Sequence, residues 1–383
     1  MNQKNYENNK AVFALLRAGL WGDQGPVQEF NVHEFKDVDW EKVYQLAQEQ
    51  SVQGLVLQGI DNFRFQVPGF KIPQVLLLQW IGEVLVIEQQ NKEMNAFVAE
   101  LIEKLRKNDA DALLVKGQGV AQCYEKPLWR CSGDVDLFLS DSNYEIAKRV
   151  LVPLASEVET EYVGSKHLGM TIDGWVVELH GSLRVGLPIK INRVLDDIKT
   201  DTFNRGNVRS WMKGQTQVFL LGKENDIVYV FVHFFNHFYK EGVGLRQLCD
   251  WCRLMWMYRN EINVEKIETR IKKMRLVSEW KAFYNLASRY LGMPDLDARF
   301  MAKDSRFDKK ADRIMDFILM SGNMGHNRDM SHFSKYPYLI RKCVSMGRRI
   351  GDLINHARIF PLDSLRFFPR IMLNGMRSAM RGE

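Results

Sequence analysis

The hydrophobic period changes twice along the chain, and nothing else in the sequence constrains the fold as tightly. Up to about residue 107 apolar residues recur at three and four, in Asn8 to Leu20, Trp40 to Gln50 and a long stretch from Pro73 to Lys107, which predicts helices. Pro73 suits a helix start, and NFRFQVPGFKIP ahead of it carries the Gly and Pro of a loop. From Ala112 the pattern becomes short apolar runs divided by turns: ALLVKGQG, DVDLFLS, HLGMTIDGWVVELHGSL and TQVFLL. These predict strands, with NYEIAKRVLVPLA as a helix after the second, and Asp173-Gly174 as the hairpin turn between the alternating HLGMTI and WVVELH. After about Gly222 the helical period returns in IVYVFVHFFNHFYKE, LRQLCDWCRLMWMYRN, VEKIETRIKKMR, SEWKAFYNLASRYLG and KKADRIMDFILM.

The class this predicts is α+β. An N-terminal helical region spans 1–107, a small mixed-sheet core with helices mostly on one face spans 108–221, and a C-terminal helical region spans 222–330. Residues 331–383 predict a tail of short helices, broken before Pro337, Pro361 and Pro369. With 46% hydrophobic and 26% charged residues over 383 positions, disorder and fibrous architectures are excluded. Five cysteines, odd in number and irregular in spacing, do not form a disulfide framework and point to a reducing compartment. The first residues carry no basic, long-apolar signal pattern. The longest apolar stretch, VLLLQWIGEVLVI, is too short to span a bilayer and is interrupted by Gln79, Gly82 and Glu83. A cytoplasmic protein without a transmembrane segment is the expectation.

Charge is uneven. Between Ser331 and Glu383 ten Lys/Arg face three acids, an excess larger than the +6 of the whole chain. An anionic partner at the basic tail, whether nucleic acid, a phosphorylated ligand or a membrane surface, is therefore expected. Phe360, Phe367 and Phe368 interleave with these cations.

Chemistry concentrates in LLVKGQGVAQCYEKPLWRCSGDVDLFL. Asp134 and Asp136 alternate on a strand, so both carboxylates project to one face while Val135 and Leu137 take the other. Two carboxylates that close raise each other's pKa unless a cation lies between them, and hard oxygen donors suit Mg²⁺ or Mn²⁺. In WVVELHGSL, Glu178 and His180 share a face, so Glu178 completes a three-carboxylate set if its strand lies beside DVDL, and His180 is placed to contact substrate. Three acids can hold two cations, the arrangement that in-line phosphoryl transfer uses. Gly117 and Gly119 allow close approach of backbone to phosphate, and Lys116 and Arg130 would supply a cationic clamp.

Taken together, an apolar strand ending in Gly, a short helix, GDVDL, another helix and a later strand with a third acid resemble the polymerase β nucleotidyltransferase superfamily. Within it, LLVKGQGVAQCYEKPLWRCSGDVDLFL followed by VVELH resembles the bacterial uncharacterised nucleotidyltransferase family, as do NHFYKEGVGLRQLCDWCRLM and FILMSGNMGHNRD further on. One departure is the Gln118 after Gly117, where the superfamily has Gly-Ser or Gly-Gly, with a longer run to the paired acids. The resemblance implies that 108–221 is a nucleotidyltransferase core and that Asp134, Asp136 and Glu178 are metal ligands and catalytic. It further implies that Gly117 belongs to the nucleotide-binding turn. The reaction implied moves a nucleoside monophosphate from an NTP such as ATP to an unidentified hydroxyl or phosphate acceptor.

Other readings stand beside this one. A lone Asp-x-Asp is often a solvated turn, and glycosyltransferases use the same pair to bind a nucleotide-sugar through Mn²⁺, though without the KG turn or a third acid. A nucleotide-binding module without turnover, or half of a toxin–antitoxin pair, is a non-enzymatic alternative. Cys249 and Cys252 fall on one helical face and read as buried apolar residues, and His233 and His237 as core or substrate-pocket histidines. Arg246 and Asp250 suit an i,i+4 salt bridge, and Lys166 and His167 read as exposed.

Overall fold

The computed structural model describes residues 3–22, 35, 38–66, 70–162, 166–240, 242–323, 338–367 and 369. Its architecture is α+β, as the pattern predicts. Four helices come first: α1 (Gln3–Trp21), α2 (Trp40–Glu49), α3 (Gln53–Gln66) and α4 (Gln74–Arg106). The central segment then runs β1 (Ala112–Val115), α5 (Gly117–Ala121), β2 (Val135–Leu139), α6 (Asp141–Leu151), β3 (Glu157–Val158), β4 (His167–Ile172), β5 (Trp175–His180), α7 (Ile189–Phe203), β6 (Val208–Lys213) and β7 (Thr216–Leu221). Helices follow: α8 (Lys223–Lys240), α9 (Leu245–Met257), α10 (Val264–Met274), α11 (Val277–Leu291), α12 (Ser305–Ser321) and α13 (Tyr338–Ile359).

The strands form one mixed sheet in the order β3-β4-β5-β2-β1-β7-β6. β2 lies antiparallel to β1 and parallel to β5, while β4–β5 and β6–β7 are hairpins. Leu137 pairs with Leu179 and Asp136 with Glu178 in the β2–β5 register. The two leucines are fully buried, and such burial contributes about 1.5–3 kcal/mol each. A one-residue slip would therefore bring the leucines out of their core and drive the acids into it, so apolar packing fixes where the acids point.

Helices cover both faces of the sheet, where the sequence pattern placed them mostly on one. Leu114, Val135, Leu137, Leu139, Val177 and Leu179 pack with the C-terminal half of α4 and with α6. The opposite face, carrying Asp136 and Phe138, belongs to a second core with α7 and α8, and Phe138 meets Phe203 of α7 at 4.8 Å between ring centres. β1 and β2 are buried along their whole length, as strands covered on both sides must be.

The structure adds α3, α7, β3 and β6 to the elements the pattern predicts. α3 continues through Asn62 to Gln66, part of the stretch that reads as a loop. α1 and α3 cross so closely that a Cβ at Gly19 would lie 2.1 Å from the Leu55 carbonyl oxygen, and one at Gly59 2.0 Å from that of Leu15. β6 is an edge strand with no buried residue. Downstream, Phe231, Phe234, Phe235 and Phe238 of α8 build an aromatic core with Trp251, Trp280 and Phe283. The tail holds the 22-residue α13, longer than the expected short helices, and the chain breaks at Phe360 before a helical turn at 361–367. Phe360 and Phe367 point inward and are buried. Of the ten cations on which the anionic contact expected of the tail rests, four, Lys335, Arg370, Arg377 and Arg381, lie outside the described residues. Among the described residues, no helix is long and apolar enough to cross a membrane.

Candidate active site

Three strands converge at the acids. Val115 pairs with Asp136 across β1–β2, and Asp136 with Glu178 across β2–β5. Carboxylate oxygens of Asp134, Asp136 and Glu178 all lie within 4.8 Å of one another. Asp136 is 1% exposed, and its Oδ2 is buried with no hydrogen-bond partner. Its Oδ1 is crowded by contrast, with Lys116 Nζ at 2.6 Å and His180 Nε2 at 2.8 Å. A buried anionic oxygen left without a donor is costly, and a cation among the three carboxylates would relieve it. The donor set, all oxygen, fits Mg²⁺ or Mn²⁺.

The electrostatics follow from this crowding. Asp136 and then burial raise the Asp134 carboxyl above its ordinary value. Burial opposes the Lys116 ammonium, but Asp136 outweighs it and the lysine is held charged. Burial likewise opposes the Glu178 carboxylate, yet hydrogen bonds from His167 and His180 carry its pKa well down. His180 is raised, because Asp136 and Glu178 stabilise its imidazolium more than burial disfavours it.

Lys116 joins β1 to α5, which Gly117 opens, beside these acids. Lys116 adopts φ 56° and Gly117 φ 38°, backbone that favours glycine. A Cβ at Gly117 would meet the Asp134 carbonyl oxygen at 3.4 Å, so the turn and the acid loop are in contact. Gly119 answers to packing instead: a Cβ there would lie 2.7 Å from Leu220 Cδ2. Gln118 is buried and donates to Asn91 Oδ1 at 2.6 Å and to Ser132 Oγ at 3.0 Å. Ser132 bonds Asn91 in turn, and Asn91 Nδ2 donates to the Leu128 and Arg130 carbonyls. Asn91 of α4 therefore clamps both walls of the site, a role its sequence setting does not announce.

Arg130 does not join the acids. Its Nε and Nη2 each donate at 2.7 Å to Asp250 of α9, and Tyr124 donates to the same carboxylate at 2.7 Å. Both partners are buried, so Arg130 acts as an internal ion pair rather than as the expected phosphate clamp. Arg246, expected to pair with Asp250, instead donates to the Cys131 carbonyl at 3.0 Å. Cys249 and Cys252 are fully buried, as their helical spacing implies.

Two histidine groups complete the surroundings. His167 reads as exposed in the sequence, but β4 pairs it with His180, and its Nε2 lies 3.2 Å from Glu178 Oε2. The two-residue turn at Asp173-Gly174 carries this signal, since counting back from it along both strands pairs 167 with 180. On α8, His233 and His237 approach within 3.1 Å through their Nε2 atoms. Burial and then the Lys116 charge depress His233 well below its ordinary value.

A family model of uncharacterised nucleotidyltransferases matches residues 36–292, two thirds of the chain and the whole of this site. The chain belongs to that family. Comparison with curated proteins and with solved structures gives no match. Nucleotidyltransferase membership carries an NTP substrate with it, and the acid cluster is compatible with the divalent cations such enzymes generally use.

Proposed function

We propose that the chain transfers a nucleoside monophosphate from an NTP to a hydroxyl or phosphate acceptor, releasing pyrophosphate, with Asp134, Asp136 and Glu178 as ligands for Mg²⁺ or Mn²⁺. One observation carries this reading: three carboxylates within 4.8 Å, one buried with an orphaned oxygen, in a chain of this family. Divalent cations bound there would offset the triphosphate charge and lower the pKa of the attacking hydroxyl. Lys116 holds Oδ1 of Asp136 at 2.6 Å, leaving Oδ2 for a cation. The strained turn at Lys116–Gly117 brings backbone beside the acids, which suits a phosphate contact. His180 holds Asp136 and Glu178 in one arrangement and lies at the substrate side. Family membership leaves the nucleotide-sugar glycosyltransferase reading without support.

Incubation with each α-labelled NTP and Mg²⁺ or Mn²⁺ tests the reading, with pyrophosphate and label transfer to protein or cell extract followed. Turnover that disappears in Asp134→Ala/Asp136→Ala is the expected result. No turnover, with nucleotide bound equally by both proteins, would replace the enzyme with a binding module.

A further inference from the structure

His167, Glu178 and His180 form a second cluster, with donor atoms all within 4.8 Å of one another. The β4–β5 register pairs His167 with His180 and Gly169 with Glu178, so all three side chains rise from one face. Glu178 Oε2 lies 3.2 Å from His167 Nε2 and 3.3 Å from His180 Nε2, and the two rings stand 4.8 Å apart. Metal–ligand bonds of about 2.0–2.2 Å put neighbouring ligands of a tetrahedral ion roughly 3.3–3.6 Å apart, close to both separations of Glu178 from the imidazoles. A Cβ at Gly169 would strike the Glu159 carboxylate at 2.5 Å, so a further anionic group reaches over this face.

We propose that His167, Glu178 and His180 bind a borderline transition-metal dication such as Zn²⁺, at a site distinct from the all-carboxylate one and joined to it by Glu178. Imidazole donors suit Zn²⁺ and Fe²⁺, whereas Mg²⁺ prefers oxygen and retains its waters. The two clusters therefore differ in the ion they select. A shared carboxylate would hold the two ions about 3.5–4 Å apart, the spacing of two-metal phosphoryl-transfer sites. The inference deepens the proposed function and rests on it for Glu178 alone.

Titration calorimetry of the metal-stripped full-length protein, without nucleotide, tests it, using Zn²⁺ and Mg²⁺ separately and Co²⁺ as a visible-absorption probe. Zn²⁺ affinity is expected to fall at least about 100-fold in His167→Ala and His167→Gln, because even outer-shell changes cost 10–100-fold. Co²⁺ bands of the wild type should shift in both variants, and Asp134→Asn should keep Zn²⁺ binding. Thermal unfolding without metal checks that the variants fold; two substitutions at a half-buried position keep the test from resting on one. Equal Zn²⁺ affinity and unchanged Co²⁺ spectra in wild type and both His167 variants would overturn the proposal. His167-dependent Zn²⁺ binding without nucleotidyl transfer would sink the proposed function alone. Mg²⁺-supported transfer without such binding would sink this inference alone.

Discussion

Asp250→Ala separates an architectural role for Arg130 from a role in substrate binding. Asp250 accepts three hydrogen bonds of 2.7 Å, two from Arg130 and one from Tyr124, and all three residues are buried. Truncation leaves the guanidinium without a counter-charge, in a site where Asp250 otherwise holds Arg130 in its charged form. Three hydrogen bonds to a charged group contribute about 1.5–3 kcal/mol each. The desolvation of Asp250 that truncation avoids offsets part of that sum, and breaking a buried pair costs about 3–5 kcal/mol overall. Urea unfolding followed by circular dichroism should show that loss with an unchanged m-value. Arg130→Met/Asp250→Leu removes both charges and should regain most of it, since apolar residues of similar volume often replace a buried pair without loss. A fall below about 1 kcal/mol in Asp250→Ala, or a double variant as unstable as the single, would refute the reasoning. So would unaltered stability accompanied by a raised KM for NTP, because Arg130 would then be answering to substrate.

Burial, then the Asp363 carboxyl beside it, raise Glu279 to about 9. Its folded pKa thus exceeds its unfolded value, the native state binds the extra proton between about pH 4.5 and 9, and stability falls as pH rises through that window. Asp363, Lys310 and Tyr239 are the ionisable neighbours. Glu279→Gln should therefore match the wild type in melting temperature near pH 4 and exceed it near pH 9; parallel profiles would count against the buried acid pair. Gly117→Ala places a Cβ at φ 38° against the Asp134 carbonyl, and should cost about 1–2 kcal/mol of stability. Kinetics at saturating metal should show a raised KM for NTP, and an unchanged KM would remove the turn from nucleotide binding.

The acids were legible because strand alternation alone decides which side Asp136 and Glu178 take, and because Leu137 and Leu179 leave a single workable register. α3 was not legible, since Gly54 and Gly59 weaken any local helix signal. Their reason lies across the packing, where Gly59 meets Leu15 and Gly54 meets the Trp129 carbonyl. β6 hides for the opposite reason: VRSWMK is an unburied edge strand, paired with β7. Arg130 reads as a phosphate ligand until Asp250, 120 positions away, takes its guanidinium. His167 was within reach, because the hairpin turn sets its partner without any tertiary information.

α4 runs 33 residues, about 50 Å at 1.5 Å per residue. Its first half, with Leu76, Leu77, Trp80 and Val84, is built into the core of α1–α3, and its second half, with Met94, Val98 and Leu101, lies under the sheet. Asn91 sits between the two and pins the site. The helix is thus a girder shared by two rooms, and a chain begun at residue 108 would lose a wall of each. Any rearrangement of the N-terminal helices that rolls this girder would carry Asn91 with it, and through its hydrogen bonds Gln118 of the turn and the segment 128–132 ahead of the paired acids.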